Sequence, residues 1–129
     1  MKRRTCLTTM LAAAAPAAAQ SKTQKPIQLN VDLAVDPAKE QEMLRTFRNT
    51  FRPAAAKQQG FIDAKMLKLR SALIGKAPAG ANYRFVLMFQ SEELRQKWVA
   101  SDIHQQVWPM MEKTLSSKDY TVLLFDAEA

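Results

Sequence analysis

The sequence predicts an α+β fold of the ferredoxin-like kind, a βαββαβ chain on one antiparallel sheet. Three observations predict it. The hydrophobic periods along residues 27–126 run strand, helix, strand, strand, helix, strand, the order of a split βαβ unit. The chain has no internal repeat and is long enough for one core only. Its later strands are apolar on both sides, more than a single layer of helices can cover.

The elements follow in order. Ile27, Leu29, Val31, Leu33 and Val35 alternate with Gln28, Asn30, Asp32 and Ala34, the period of a strand with one buried face. Asp36-Pro37 supplies a capping oxygen and a proline at the first helical position. Met43, Leu44, Phe47 and Phe51 recur at helical spacing, while Glu40, Glu42, Arg45 and Arg48 take the outer face. Pro53 is placed to bend this helix and Gly60 to end it. FIDAKMLKLRS (61–71) and NYRFVLMFQ (82–90) read as strands joined by the loop ALIGKAPAGA (72–81). Ser91 caps a second helix that carries Glu92 and Glu93 in its first turn. Its apolar spacing passes through Leu94 and Trp98, falters at Ser101-Asp102 and resumes at Ile103, Val107, Met110, Met111 and Leu115. YTVLLF (120–125) closes the domain. Tyr83, Phe85, Leu87 and Phe89 line one side of the third strand and Val86 and Met88 the other. Tyr120, Val122 and Leu124 oppose Leu123 and Phe125 in the same way. A second copy of the chain is the expected cover for the side without helices, giving a homodimer.

Residues 1–19 are expected to be an export signal. Lys2, Arg3 and Arg4 precede an apolar run from Leu7 to Ala15, and Ala17-Ala18-Ala19 precede Gln20. The run is too short to span a bilayer. Arg3-Arg4 also fits a twin-arginine signal, with Cys6 where phenylalanine is usual. Residues 20–26 form a polar lead-in, and the mature form is expected to be periplasmic or extracellular and off the membrane. The chain has 19 Lys and Arg against 12 acids, net charge +7; removal of the signal takes three cations and leaves +4. That is a mild surface charge and not a nucleic-acid footprint. NYRFVLMFQ also lacks the Gly-aromatic-Gly signature of an RNA-recognition strand. Cys6 leaves with the signal, so neither a disulfide framework nor a cysteine nucleophile is expected.

The chemistry open to the rest is narrow. With one histidine and no mature cysteine, a metal site would need almost only carboxylates, so none is expected. Gly75-Lys76 lacks the remainder of a phosphate loop, and no dinucleotide fingerprint occurs. His104 is the one side chain whose ordinary pKa suits proton exchange near neutrality. His104, Trp108, Met111 and Leu115 fall on one helical stripe, which places the imidazole beside Trp108. Pro109 is placed to kink that helix. Asn30 and Asp32 occupy the strand face opposite Leu29, Val31 and Leu33, where a polar side chain must find a partner or a ligand.

VDLAVDPAKEQEML (31–44), QGF (59–61), YRFVLMFQSEELRQKW (83–98) and SDIHQQVW (101–108) resemble the antibiotic biosynthesis monooxygenase (ABM) family over residues 27–126. The resemblance implies a dimeric α+β barrel. It implies oxygenation of quinol-type or polycyclic aromatics without metal or flavin; for that chemistry the residues themselves offer His104 as acid or base and Asn30 as a hydrogen-bond partner, the catalytic candidates. Trp98, Trp108, Asp32, Met88 and Phe85 would then bind substrate. Asn30 and Trp98 also match residues that flank haem in a haem-degrading branch, but that branch's iron-ligating histidine falls at Trp108. Haem binding is therefore the weaker reading. A non-catalytic dimeric binder of a small apolar ligand is the other alternative.

Overall fold

The computed structural model describes residues 25–129; the expected export signal, residues 1–19, and residues 20–24 of the lead-in lie outside the described residues. The strands are β1 (Ile27–Leu33), β2 (Phe61–Lys68), β3 (Tyr83–Phe89) and β4 (Thr121–Asp126). They form one antiparallel sheet in the order β2-β3-β1-β4. This is the ferredoxin-like plan that the hydrophobic periods predict.

Helix α1 is the run 37–56, and its beginning follows the sequence signals. Asp36 Oδ1 accepts the Ala38 amide at 2.9 Å, and Pro37 opens a 3-10 turn, Pro37–Lys39. The middle departs from a regular helix. After Glu40–Thr46, residues Phe47–Phe51 wind as a π-helix, with the Arg52 amide bonded to the Phe47 carbonyl, before Arg52–Ala56 resumes α geometry. Pro53 explains the widening. In an unbroken α-helix its ring would strike the Asn49 carbonyl and leave that carbonyl unpaired; one extra residue in the turn removes the clash.

The second helical stretch is two helices, α2 (Glu92–Ala100) and α3 (Asp102–Glu112). Ser101 separates them at the point where the apolar period falters. Helix α3 runs through Pro109 to Glu112.

Strand register sorts the side chains into two faces. On the helix side, Ile27, Leu29, Val31 and Leu33 pair with Phe89, Leu87, Phe85 and Tyr83. All eight are buried, and Trp98, Phe51, Phe89, Leu33 and Met43 are among the most completely buried side chains. On the other side Gln28, Asn30 and Asp32 pair with Met88, Val86 and Arg84 on β3 and with Phe125, Leu123 and Thr121 on β4. That face is mixed rather than apolar, because the polar half of β1 runs through its centre. Every residue of β4 is exposed, and Val122, Leu123, Leu124 and Phe125 are each about half exposed.

Gly60 joins α1 to β2 with φ +88°. A Cβ there would lie 2.4 Å from Leu94 Cδ1 and 3.1 Å from Leu94 Cβ, so both the backbone and the start of α2 require glycine. Gly60→Ala is expected to destabilise the fold by roughly 1–3 kcal/mol, read as a lower urea midpoint at unchanged slope. A midpoint equal to wild type would show that α2 does not press on this turn.

Candidate aromatic pocket

Ser101 is the local device that builds the site. Its hydroxyl donates to the Trp98 carbonyl at 2.6 Å and accepts the His104 amide at 3.3 Å, closing α2 and opening α3 with one side chain. Two residues three positions on either side of the serine are thereby turned toward each other. The His104 ring meets Trp98 edge to face at 4.9 Å and lies nearly parallel to Trp108 at 6.3 Å. From α1, Phe51 contacts Trp98, His104 and Trp108 at 5.8, 6.3 and 5.7 Å.

These rings wall a pocket of about 140 Å3 between the helix layer and the sheet, floored by Leu29, Val31, Phe85 and Leu87. Tyr120 and Val122 form its rim on the β4 side. The half-exposed Val122 marks where the pocket meets solvent. Trp98 is buried and makes part of the wall, so it serves as core anchor and pocket residue together.

The polar atoms of the pocket are few. Trp108 Nε1 donates to the Tyr120 hydroxyl at 3.2 Å, and that hydroxyl donates to Glu112 Oε2 at 2.8 Å. Burial, and then the bond to Glu112, raise the Tyr120 pKa, which keeps the phenol protonated. His104 differs, because its Nδ1 is buried with no hydrogen-bond partner among the described residues. Burial, and secondarily the positive charge of Arg95, hold the His104 pKa below its usual value. The imidazole is therefore neutral at neutral pH, and its buried Nδ1 has no partner among the described residues.

The sequence-based site is divided by the sheet. His104, Trp98, Trp108 and Phe85 come together in the pocket. Asn30, Asp32 and Met88 lie on the opposite face, so Asn30 has the sheet between it and His104. Each polar residue there finds a protein partner. Asn30 Oδ1 accepts from Gln28 Nε2 at 3.0 Å, and Asp32 accepts from Arg84 Nε at 2.7 Å. Arg84 is thus fixed in an ion pair. The 72–81 loop contributes nothing to the aromatic pocket.

Three contributors went unassigned in the sequence: Phe51, Tyr120 and Glu112. Tyr120 shares the helix-side row with Val122, so the alternation of YTVLLF carried a signal for it. The role of Phe51 depends on the π turn, and that of Glu112 on the path of the chain after α3.

Among the described residues no three His, Cys, Asp or Glu side chains cluster to hold a metal ion. Haem does not fit either. Trp108 offers no ligating lone pair, its N–H is committed to Tyr120, and a porphyrin is far larger than the pocket.

No family model and no curated protein matches the sequence. Solved structures match in fold. One is a provisionally named antibiotic biosynthesis monooxygenase from Caulobacter crescentus, 19% identical, with a TM-score of 0.65 over 83% of this chain and 93% of its own. A similarly named protein from Bordetella bronchiseptica is 14% identical, with a TM-score of 0.65 over 82% and 100%. SnoaB, a cofactor-independent oxygenase from Streptomyces nogalater, is 18% identical, with a TM-score of 0.60 over 82% and 95%. At these identities the likeness is one of fold. The chain has the ferredoxin-like fold seen in antibiotic biosynthesis monooxygenases.

The lowered His104 pKa fixes the sign of a pH effect. The unfolded chain takes up a proton at about pH 6.5, whereas the folded chain does so only at lower pH. Stability contributed by neutral His104 is therefore full above about pH 6.5 and is lost as pH falls toward the folded pKa. In urea unfolding at about pH 7.5 and about pH 5, wild type is expected to lose more stability than His104→Phe. Equal losses would place the imidazole in solvent.

Proposed function

We propose that the protein is an ABM-type, cofactor-independent monooxygenase acting on a small quinol-type aromatic. The observation that carries the reading is the buried, unpartnered Nδ1 of a neutral histidine inside an aromatic pocket. A hydroquinone needs a flat apolar slot and one acceptor for its hydroxyl proton, and the pocket offers both. About 140 Å3 is close to the room a single aromatic ring takes, so a monocyclic quinol suits it better than a polycyclic one. The fold shared with SnoaB supports the absence of a cofactor.

His104 acts as the base. It takes the hydroxyl proton, and the electron-rich quinolate reduces oxygen directly. One oxygen atom enters the ring, the other leaves as water, and the substrate supplies all four electrons, two from the ring carbon that is hydroxylated and two from the oxidation of quinol to quinone. For a hydroquinone the product is a hydroxyquinone. Trp98, Trp108 and Phe85 hold the ring plane. Tyr120, fixed by Glu112, keeps the Trp108 indole in place.

Two further parts of the reading come from sequence. Residues 1–19 direct export, which suits removal of reactive quinols outside the cytoplasm. A second copy packs on the open sheet face, where Val86, Met88, Leu123 and Phe125 surround the Asp32–Arg84 pair, and completes an α+β barrel. Asn30, Asp32 and Met88 then belong to the subunit interface, not to the catalytic pocket.

Oxygen uptake by the full chain is expected with monocyclic hydroquinones, more weakly with polycyclic phenols, and reduced about 100-fold in His104→Ala. Uptake that is absent, or equal in wild type and variant, would make the pocket a binding site without turnover. In light scattering at micromolar concentration the protein is expected to be a dimer, and Phe125→Asp mainly a monomer. A wild-type monomer would leave the open face uncovered and sink the barrel.

A further inference from the structure

The β2–β3 loop is the most exposed apolar feature among the described residues. Leu73 and Ile74 are 92% and 96% exposed, and they are adjacent in sequence. Isolated exposed leucines are ordinary, but two neighbouring large side chains at a loop tip, touching almost nothing, gain nothing from the fold that carries them. Gly75, at φ +78°, makes the turn beside them.

The base of the loop is fixed while its tip is free. The Asn82 side chain accepts the Val35 amide at 2.8 Å and donates to the Val35 carbonyl at 2.9 Å. The Leu69 amide bonds to the Asn82 carbonyl at 2.9 Å, and the Asn82 amide to the Leu33 carbonyl at 2.9 Å. The tip therefore projects from a clamped stem.

Cations ring this tip. Lys68, Arg70, Lys76 and Arg84 line a cavity of about 500 Å3 under the loop, with Asp32 as its one acid. Arg84 is matched by Asp32 and Lys68 by Glu40. Arg70 and Lys76 pair with no described acid, and they flank Leu73 and Ile74 in sequence. Half-exposed Leu67 and Leu69 continue the apolar surface down β2.

We propose that this loop is a membrane-docking tip that seats Leu73 and Ile74 in the surface of an anionic bilayer while Arg70 and Lys76 meet the lipid headgroups. An apolar pair alone would suit a protein groove equally well. The unmatched cations on both sides of it favour a surface that is apolar within and negative at its rim. No described helix is long and apolar enough to cross a membrane, and docking of this kind needs none. The proposal replaces the expectation that the mature form stays off membranes, and it is independent of the chemistry of the aromatic pocket.

The test is co-sedimentation of the full chain with vesicles of phosphatidylcholine alone and of phosphatidylcholine mixed with phosphatidylglycerol. Three proteins are compared: wild type, Leu73→Ser/Ile74→Ser and Arg70→Ser/Lys76→Ser. All keep residues 1–24, so the difference between them reads the loop. Wild type is expected to bind the anionic vesicles and not the neutral ones, with each double variant weakened about 10-fold or more. No binding, equal binding by all three proteins, or equal binding to both vesicle types would overturn the proposal. So would a smaller oligomer on gel filtration for Leu73→Ser/Ile74→Ser, which would assign the tip to a second copy of the chain.

Discussion

Phe51 is the contact on which the rest of the molecule depends. Its ring lies 5.3 Å from Phe85 on the central strand β3 and also meets Phe47, Trp98, His104 and Trp108. One side chain thus ties the first helix to the sheet and to both later helices. Edge-to-face contacts of this kind add directional preference to the burial that drives them. Because Phe51 closes the π segment, the widened turn before Pro53 governs where the ring points. A proline that would break an ordinary helix is in this way coupled to the wall of the pocket.

The two faces of the sheet solve different problems. The helix face is a continuous apolar layer with one small unfilled volume, and the imidazole at that volume has no partner for its Nδ1 among the described residues. The other face is a patchwork crossed by Gln28, Asn30 and the Asp32–Arg84 pair. Asp32 is buried and Arg84 is nearly half exposed, so part of the pair remains solvated and its cost is moderated. Such a pair adds little to stability, yet it penalises any slip of β1 against β3, because a one-residue shift of β1 would turn Asp32 into the core and leave Arg84 without its partner.

Much of the fold was legible in the sequence because its signals are local. Asp36-Pro37, Ser91 and the alternation of β1 each report on a few neighbouring residues, and each operates as those residues suggest. The candidate site was legible in part. His104, Trp98 and Trp108 share a short stretch, and the pause at Ser101-Asp102 is what folds them together. Asn30 lies on the strand face that the alternation assigns to it, opposite Leu29 and Val31, but it was grouped with His104 because alternation says that two faces exist and not which of them holds a cavity. That depends on where the helices leave space, which is a property of tertiary packing. Tyr120 and Glu112 meet only after the chain turns from α3 into β4, and no spacing rule reports such a meeting.

The strand order has a consequence for how the chain can reach its structure. β1 is one of the two central strands, and its neighbours are β3 and the last described strand, β4. The first strand to be synthesised therefore waits for the last before both its edges are paired, and of the three strand pairings only β2–β3 joins strands adjacent in sequence. Loop closure over such distances slows folding relative to a helical domain of the same size. During that interval the growing chain offers an open, threadable conformation to whatever acts on it before the sheet is complete.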